Sequence, residues 1–175
     1  MEKNLQQEKE EFIAYFQMLQ DQPKSDYTHD QFLKLRNYPG FLYDSFMWNY
    51  RFEYLKLCLR FTNFTISGDQ FAVDFIELRN SHVLEFNQLI HELKTSFKPA
   101  TKLLIDIKAF GFGQILREIY EDCDVFVSDE LLKSIGETSR DAGEIDDNEF
   151  YNRIQEATFT IQKQIFPLHH KIRPF

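Results

Sequence analysis

The sequence predicts an all-α protein, an antiparallel helical bundle with short helices and loops inserted before the last long helix. Three observations carry this. Apolar residues recur at steps of three and four over long stretches, the period of one helix face. Ser67 and Asp146 precede two such stretches with Gln70 and Glu149 three positions on, the spacing of a reciprocal N-terminal cap. Pro99 and Pro167 stand where those stretches stop, and a proline denies a helix the N–H it needs. Helices with one apolar stripe bury it against each other, so a bundle follows.

Taken in order, residues 4–20 form the first candidate helix, with Leu5, Phe12, Phe16 and Leu19 on one face. A loop around Pro23 leads to a short helix over 28–37, with Phe32 and Leu35 inward, and Pro39-Gly40 is a turn. Residues 43–61 read as one long helix. Met47, Tyr50, Tyr54, Leu57 and Phe61 line its stripe, and Phe46, Leu55, Cys58 and Leu59 widen it enough to touch two neighbours. Trp48 is assigned to packing. After Ser67 comes the longest run, with Phe71, Phe75, Leu78, Phe86, Leu89, Leu93 and Phe97 inward and His82 filling a gap as a hydrogen-bonded or half-buried residue. Residues 103–107 read as a strand or a buried loop. Gly111 and Gly113 make a bend, and residues 115–120 a short helix. Ser128 caps another short helix, residues 136–145 loop, and Asp146 opens the final helix with Phe150, Ile154, Ala157, Ile161 and Ile165 inward. The expected organisation is an N-terminal helical extension over 1–49, the bundle over 50–166 and a basic tail over 167–175.

Composition narrows the function. The chain has 175 residues, 43% hydrophobic, enough for a core without metal or disulfide. The N-terminal residues are too polar for a signal peptide, and no stretch reaches membrane-spanning length without charges. A cytoplasmic location without membrane insertion is expected. The two cysteines are not a disulfide framework: Cys58 reads as a core residue, and the acids around Cys123 should raise its pKa.

No catalytic or cofactor motif is complete. His91-Glu92 has Thr95 where a zinc-binding helix needs its second histidine. Gly111-Phe112-Gly113 resembles the start of a phosphate-binding turn, but Leu116 stands at the third glycine. His169-His170 lacks a nearby ligand, and the Asp122–Asp129 acids lack EF-hand spacing. Glu118 with Glu121, and Asp74 with Glu77, share helix faces and read as solvated carboxylates. No cofactor and no metal are expected.

Charge is the informative feature. Residues 118–156 hold thirteen carboxylates and three cations (Lys133, Arg140, Arg153), a local balance of −10 against −8 for the whole chain. Such a segment repels nucleic acid and attracts a basic protein. The candidate partner-binding residues are Asp122, Asp124, Asp129, Glu130, Glu137, Asp141, Glu144, Asp146 and Asp147.

Three segments carry a family resemblance. They are Phe61-Thr-Asn-Phe-Thr-Ile-Ser-Gly-Asp-Gln-Phe71 followed by Asp74, Phe75 and Leu78; Asp122-Cys-Asp-Val-Phe-Val-Ser-Asp129; and Gly143-Glu-Ile-Asp-Asp-Asn-Glu149 with a last helix through Arg153 and Ala157. Over about residues 54–157 the chain resembles the colicin D-type immunity family, the bacterial self-protective colicin-like immunity domains. Residues 1–49 and the tail lie outside the resemblance. It implies a small antiparallel helical bundle that inhibits a cationic toxin ribonuclease, which cleaves transfer RNA, by covering its basic active site. It places the contacts among the acids from Asp122 to Asp147, and leaves Ser67 and Phe71 to hold the scaffold. Two other readings are a helical adaptor or assembly factor for a basic protein, and a carboxylate-dependent hydrolase.

Overall fold

The structure, a computed structural model, describes residues 28, 40, 42–96 and 109–167. The expectations for residues 4–20, for the helix over 28–37 apart from Thr28, for Pro39, for Phe97 and the stop at Pro99, for 103–107 and for the tail after Pro167 lie outside the described residues, and Gly40, expected in a turn, is helical. Among those described, the chain is all-α. Its helices are α1 (42–48), α2 (Arg51–Thr62), α3 (Gly68–Ser96), α4 (Phe112–Val125), α5 (Asp129–Ile135) and α6 (Asp147–Ile165). The one β feature among the described residues is an isolated parallel bridge between Phe126 and Ile145. The chain divides into two compact units, Met1–Asn49 with Ser81–Gly113, and Tyr50–Asn80 with Gln114–Phe175.

In the first unit, α1 buries Leu42, Ser45, Phe46, Met47 and Trp48. The Phe86 ring meets Tyr43 edge-on at 5.3 Å and Phe46 at 5.4 Å, and Trp48 meets Phe112 edge-on at 5.3 Å. His82 is buried, at 6% exposure. The long helix expected over 43–61 is in fact two. The chain turns at Asn49, whose N–H donates to Phe46 O at 3.1 Å, and Tyr50 leaves the helical region at φ −97°, ψ 8° before α2 begins. Apolar period runs through both helices unbroken, so the stripe concealed the break.

The Gly111–Gly113 bend has a specific physical cause. Gly111 sits at φ +80°, where a side chain would be strained. Its N–H and that of Gly113 donate to the two Asp44 carboxylate oxygens, both at 2.9 Å. Asp44 thus supplies an anion to the positive N-terminus of α4 from elsewhere in the sequence. A Cβ on Gly113 would lie 2.3 Å from Asp44 Oδ1 and 2.8 Å from the Tyr43 ring, so glycine admits the carboxylate. The helix that follows is longer than the expected 115–120.

The second unit is built on aromatic rings. Phe150 of α6 stacks on Phe126 at 4.1 Å and 13°, and meets Phe61 of α2 at 5.4 Å and Phe71 of α3 at 5.8 Å. Phe61 stacks on Phe71 at 4.9 Å, and Phe75 continues the cluster to Tyr54 at 5.6 Å. Tyr54, Phe71, Phe75 and Phe150 are fully buried. Leu116, Ile119 and Cys123 of α4, and Ile154, Thr158 and Ile161 of α6, complete the core. The caps follow the sequence in part. The Ser67 hydroxyl accepts from Gln70 N–H at 3.2 Å and Asp146 accepts from Glu149 N–H at 2.8 Å. Neither partner side chain reaches back: Gln70 donates to Asp74 at 2.6 Å, and Glu149 receives Arg153 at 2.5 Å. Each side chain instead bonds a charged partner one turn further along its helix.

Two substitutions test this account. Phe150→Ala removes the ring shared by three packing partners and is expected to destabilise the chain by about 3–5 kcal/mol in chemical denaturation. Asp44→Ala strips the α4 N-terminus of its acceptor and should cost about 1–2 kcal/mol.

Candidate functional site

On the acidic segment, α4 and α6 enclose a groove. Ile115, Glu118, Asp122 and Val125 follow one another at three- and four-residue steps on α4, and on α6 Glu156 and Ala157 lie three and four residues after Arg153, with Thr160 three beyond Ala157. These two stripes wall a groove of about 600 Å³, with Ile119, Glu121 and Gly143 completing it. The groove therefore combines carboxylates with apolar side chains.

Arg153 is the cation among the groove's lining residues, and both of its terminal nitrogens are paired. It donates to Asp122 at 2.6 Å and to Glu149 at 2.5 Å, and the two carboxylates hold its guanidinium above its ordinary pKa. The Asp122 side chain is only 15% exposed. Glu118 receives an uncharged donor, Gln114 Nε2, at 3.1 Å. Among the described residues, Glu118, Glu121 and Glu156 have no ion-pair partner. These three lie outside the set read from the sequence. The signal for them was present in the three- and four-residue steps that place Glu118 beside Ile115, Glu121 beside Val125 and Glu156 beside Arg153, but the companion helix is only found by folding.

The remaining predicted acids lie on the segment from Asp124 to Asp147. Asp129, Asp146 and Asp147 gather about Arg140, which bonds the Asp129 carboxylate and donates from Nε to Val127 O at 2.9 Å. Asp147 accepts from Asp129 N–H at 2.8 Å, and Ser128, the cap of α5, donates to Asp69 at 2.9 Å. The Glu144 carboxylate accepts from Asp141 N–H at 2.8 Å in a local turn. Backbone bonds from Val127 N–H to Ile145 O and from Ile145 N–H to Val125 O tether the loop. Asp124, Glu130 and Glu137 are exposed. Gly143 lines the groove, so the loop adjoins it. The nine predicted acids thus fall into three situations: Asp122 in the groove, Asp129, Asp141, Glu144, Asp146 and Asp147 in the folding of the loop, and Asp124, Glu130 and Glu137 outward.

Nucleophilic chemistry finds no foothold in the thiols. Cys58 is fully buried, and burial pushes its thiol from 9.0 up to about 12. Cys123 is raised further, first by burial and only then by Asp122, so the neighbouring acids are the lesser cause. The Gly111–Gly113 turn presents its N–H groups to Asp44, which occupies the place a phosphate would take. Among the described residues, no three His, Cys, Asp or Glu side chains are grouped to hold a metal ion. No helix there is long and apolar enough to cross a membrane. Comparison with models of protein families, with curated proteins and with solved structures finds no match to this chain.

Two expected outcomes follow. At neutral pH neither thiol should react with a soluble disulfide reagent in the native state, and both should react after denaturation. The Arg140 guanidinium holds the Asp129 carboxyl below its ordinary value of 3.8. Its stabilising contribution is therefore complete above the unfolded pKa and disappears as pH falls through the lower folded one. Arg140→Gln should return the Asp129 titration, followed by carboxyl NMR shifts, to the ordinary range.

Proposed function

We propose that this chain is a non-catalytic protein-binding module, an immunity-like inhibitor that covers the basic active site of a toxin ribonuclease in the cytoplasm. The supporting observation is the α4/α6 groove, where Arg153 is neutralised internally while Glu118, Glu121 and Glu156 stand without cationic partners beside apolar Ile115, Val125 and Ala157. A cationic side chain with an aliphatic stem fits such a groove: its stem takes the apolar wall and its head the carboxylates. Like charges held together repel, and a basic partner relieves that repulsion and is steered toward it. Asp124 and the outward Glu130 and Glu137 extend the negative field beyond the groove. The resemblance of residues 54–157 to colicin D-type immunity domains points to the same class of partner. In this reading the inhibitor's carboxylates occupy the ground that RNA phosphates would take on the nuclease.

The reading assigns distinct roles within the acidic segment. Asp122 and Asp129 hold Arg153 and Arg140, so reversing them disturbs the scaffold as well as the surface. Glu121 and Asp124 are exposed and suit a test of binding alone. With a purified tRNA-cleaving toxin nuclease domain, Glu121→Lys with Asp124→Lys should slow association by about tenfold or more while the melting temperature stays close to that of the parent. Association should also slow as salt rises. Equal association rates for parent and variant at low salt, or undiminished RNA cleavage in the presence of saturating parent protein, would remove the proposal.

A further inference from the structure

The second unit carries another face of different chemistry. Along α2 and α6, two shallow grooves of about 300 and 540 Å³ share Leu59 and Asn63. Lys56 and Arg60 line the first, with Phe52 and Leu55, and Gln155 and Phe159 are among those lining the second. Arg60 also makes a long, solvent-exposed pair with Asp74 at 3.5 Å, an interaction weak enough to yield to a partner's carboxylates. Phenylalanines crowd this region. Phe52 is 51% exposed, Phe159 55%, Phe166 60% and Phe64 79%. Single exposed apolar residues are ordinary, but four at neighbouring elements mark a contact surface. Arg51 lies 4.6 Å above the Phe52 ring and Lys163 4.0 Å above Phe159. Phe64 is held at φ +57°, a conformation few non-glycine residues adopt, with its ring flat against Tyr151 at 5.1 Å and 9°.

This face is complementary to the acidic groove of the same unit. It offers cations and aromatic rings, and the groove offers carboxylates and aliphatic walls. Both flank α6. Arg153, Glu156, Ala157 and Thr160 belong to the groove, whereas Asn152, Gln155, Phe159 and Gln162 belong to the aromatic side, with Glu156 at the boundary. When two complementary surfaces lie on either flank of one helix, a two-fold axis parallel to that helix sets each on its counterpart. Such a contact closes at two chains.

We propose that the occupant of the α2/α6 face is a second copy of this chain, in a homodimer where Lys56, Arg60 and Phe52 of each copy meet the Glu118–Glu121 groove of the other. The proposal goes beyond the inhibitor reading and does not depend on it. The two share the groove, so a sufficiently basic partner would compete with the second copy.

Charge swapping tests it. The full chain is examined by analytical ultracentrifugation over a concentration series at low and high salt. The parent should approach the mass of two chains at low salt and dissociate as salt rises. Lys56→Glu with Arg60→Glu should weaken self-association by at least about tenfold, and so should Glu118→Lys with Glu121→Lys. Each variant alone repels itself. Mixed in equal amounts, the two present opposite charges at both contacts and should restore a two-chain species, which also shows that both are folded. A parent that stays monomeric, a mixture that stays monomeric, or masses growing past two chains overturns the proposal. So does a monomeric parent that binds single-stranded RNA through Lys56 and Arg60, which would make the face a nucleic-acid surface. Nuclease inhibition by the Lys56→Glu, Arg60→Glu variant separates this proposal from the inhibitor reading. Retained inhibition with lost dimer leaves both standing, inhibition by a monomeric parent overturns only the dimer, and a dimer without inhibition overturns only the inhibitor.

Discussion

The second unit depends on the ring of Phe150. It is fully buried and touches aromatic rings from α2, from α3 and from the segment after α4. Each buried ring is worth about 1.5–3 kcal/mol of apolar transfer, and each well-placed ring pair adds about 0.5–1.5 kcal/mol. Because these contacts converge on one side chain of α6, the opposite stripes of that helix are free to be polar. Core packing thereby fixes the direction in which Arg153 and Glu156 face the groove. Gly68 belongs to the same constraint: a Cβ there would lie 2.7 Å from the Phe126 ring, so the start of α3 passes close against the cluster.

Electrostatics then sorts the acidic segment into two kinds of carboxylate. Asp122, Glu149 and Asp129 are matched to the arginines of their own fold, and Asp146 and Asp147 accept backbone N–H groups at helix starts. Exposed ion pairs of this kind contribute little each to stability, and their role here is to position the loop and the α4 and α6 side chains rather than to stabilise the whole. What they leave over, among the described residues, is three carboxylates without an ion-pair partner, Glu118, Glu121 and Glu156, in the groove beside the paired Arg153. A high local charge is thus partly architecture and partly unspent attraction, and only the second part is available to a partner.

Asp44 shows the same economy at the start of α4. A glycine turn followed by a helix is a ready anion site, because its N–H groups and dipole converge. Here the anion is a side chain of α1, delivered by the fold. The motif that a sequence reading tests for a nucleotide is in this chain a tertiary cap.

The sequence by itself determined the all-α class, the apolar stripes of α2, α3 and α6, and the caps at Ser67, Ser128 and Asp146. Periodicity and capping are local, set by residues within one or two turns of each other. The concentration of carboxylates between 118 and 156 was equally plain, being a count. Tertiary structure decided what no local pattern holds. It broke the apolar run at Asn49 and Tyr50, where the stripe continues although the backbone turns. It gave Gly111 and Gly113 to Asp44, over sixty residues away in the chain. It spent Asp122 on Arg153 and left Glu118 and Glu156 facing each other's helices, because ion pairing depends on distances of a few ångströms in space and not on separation along the sequence.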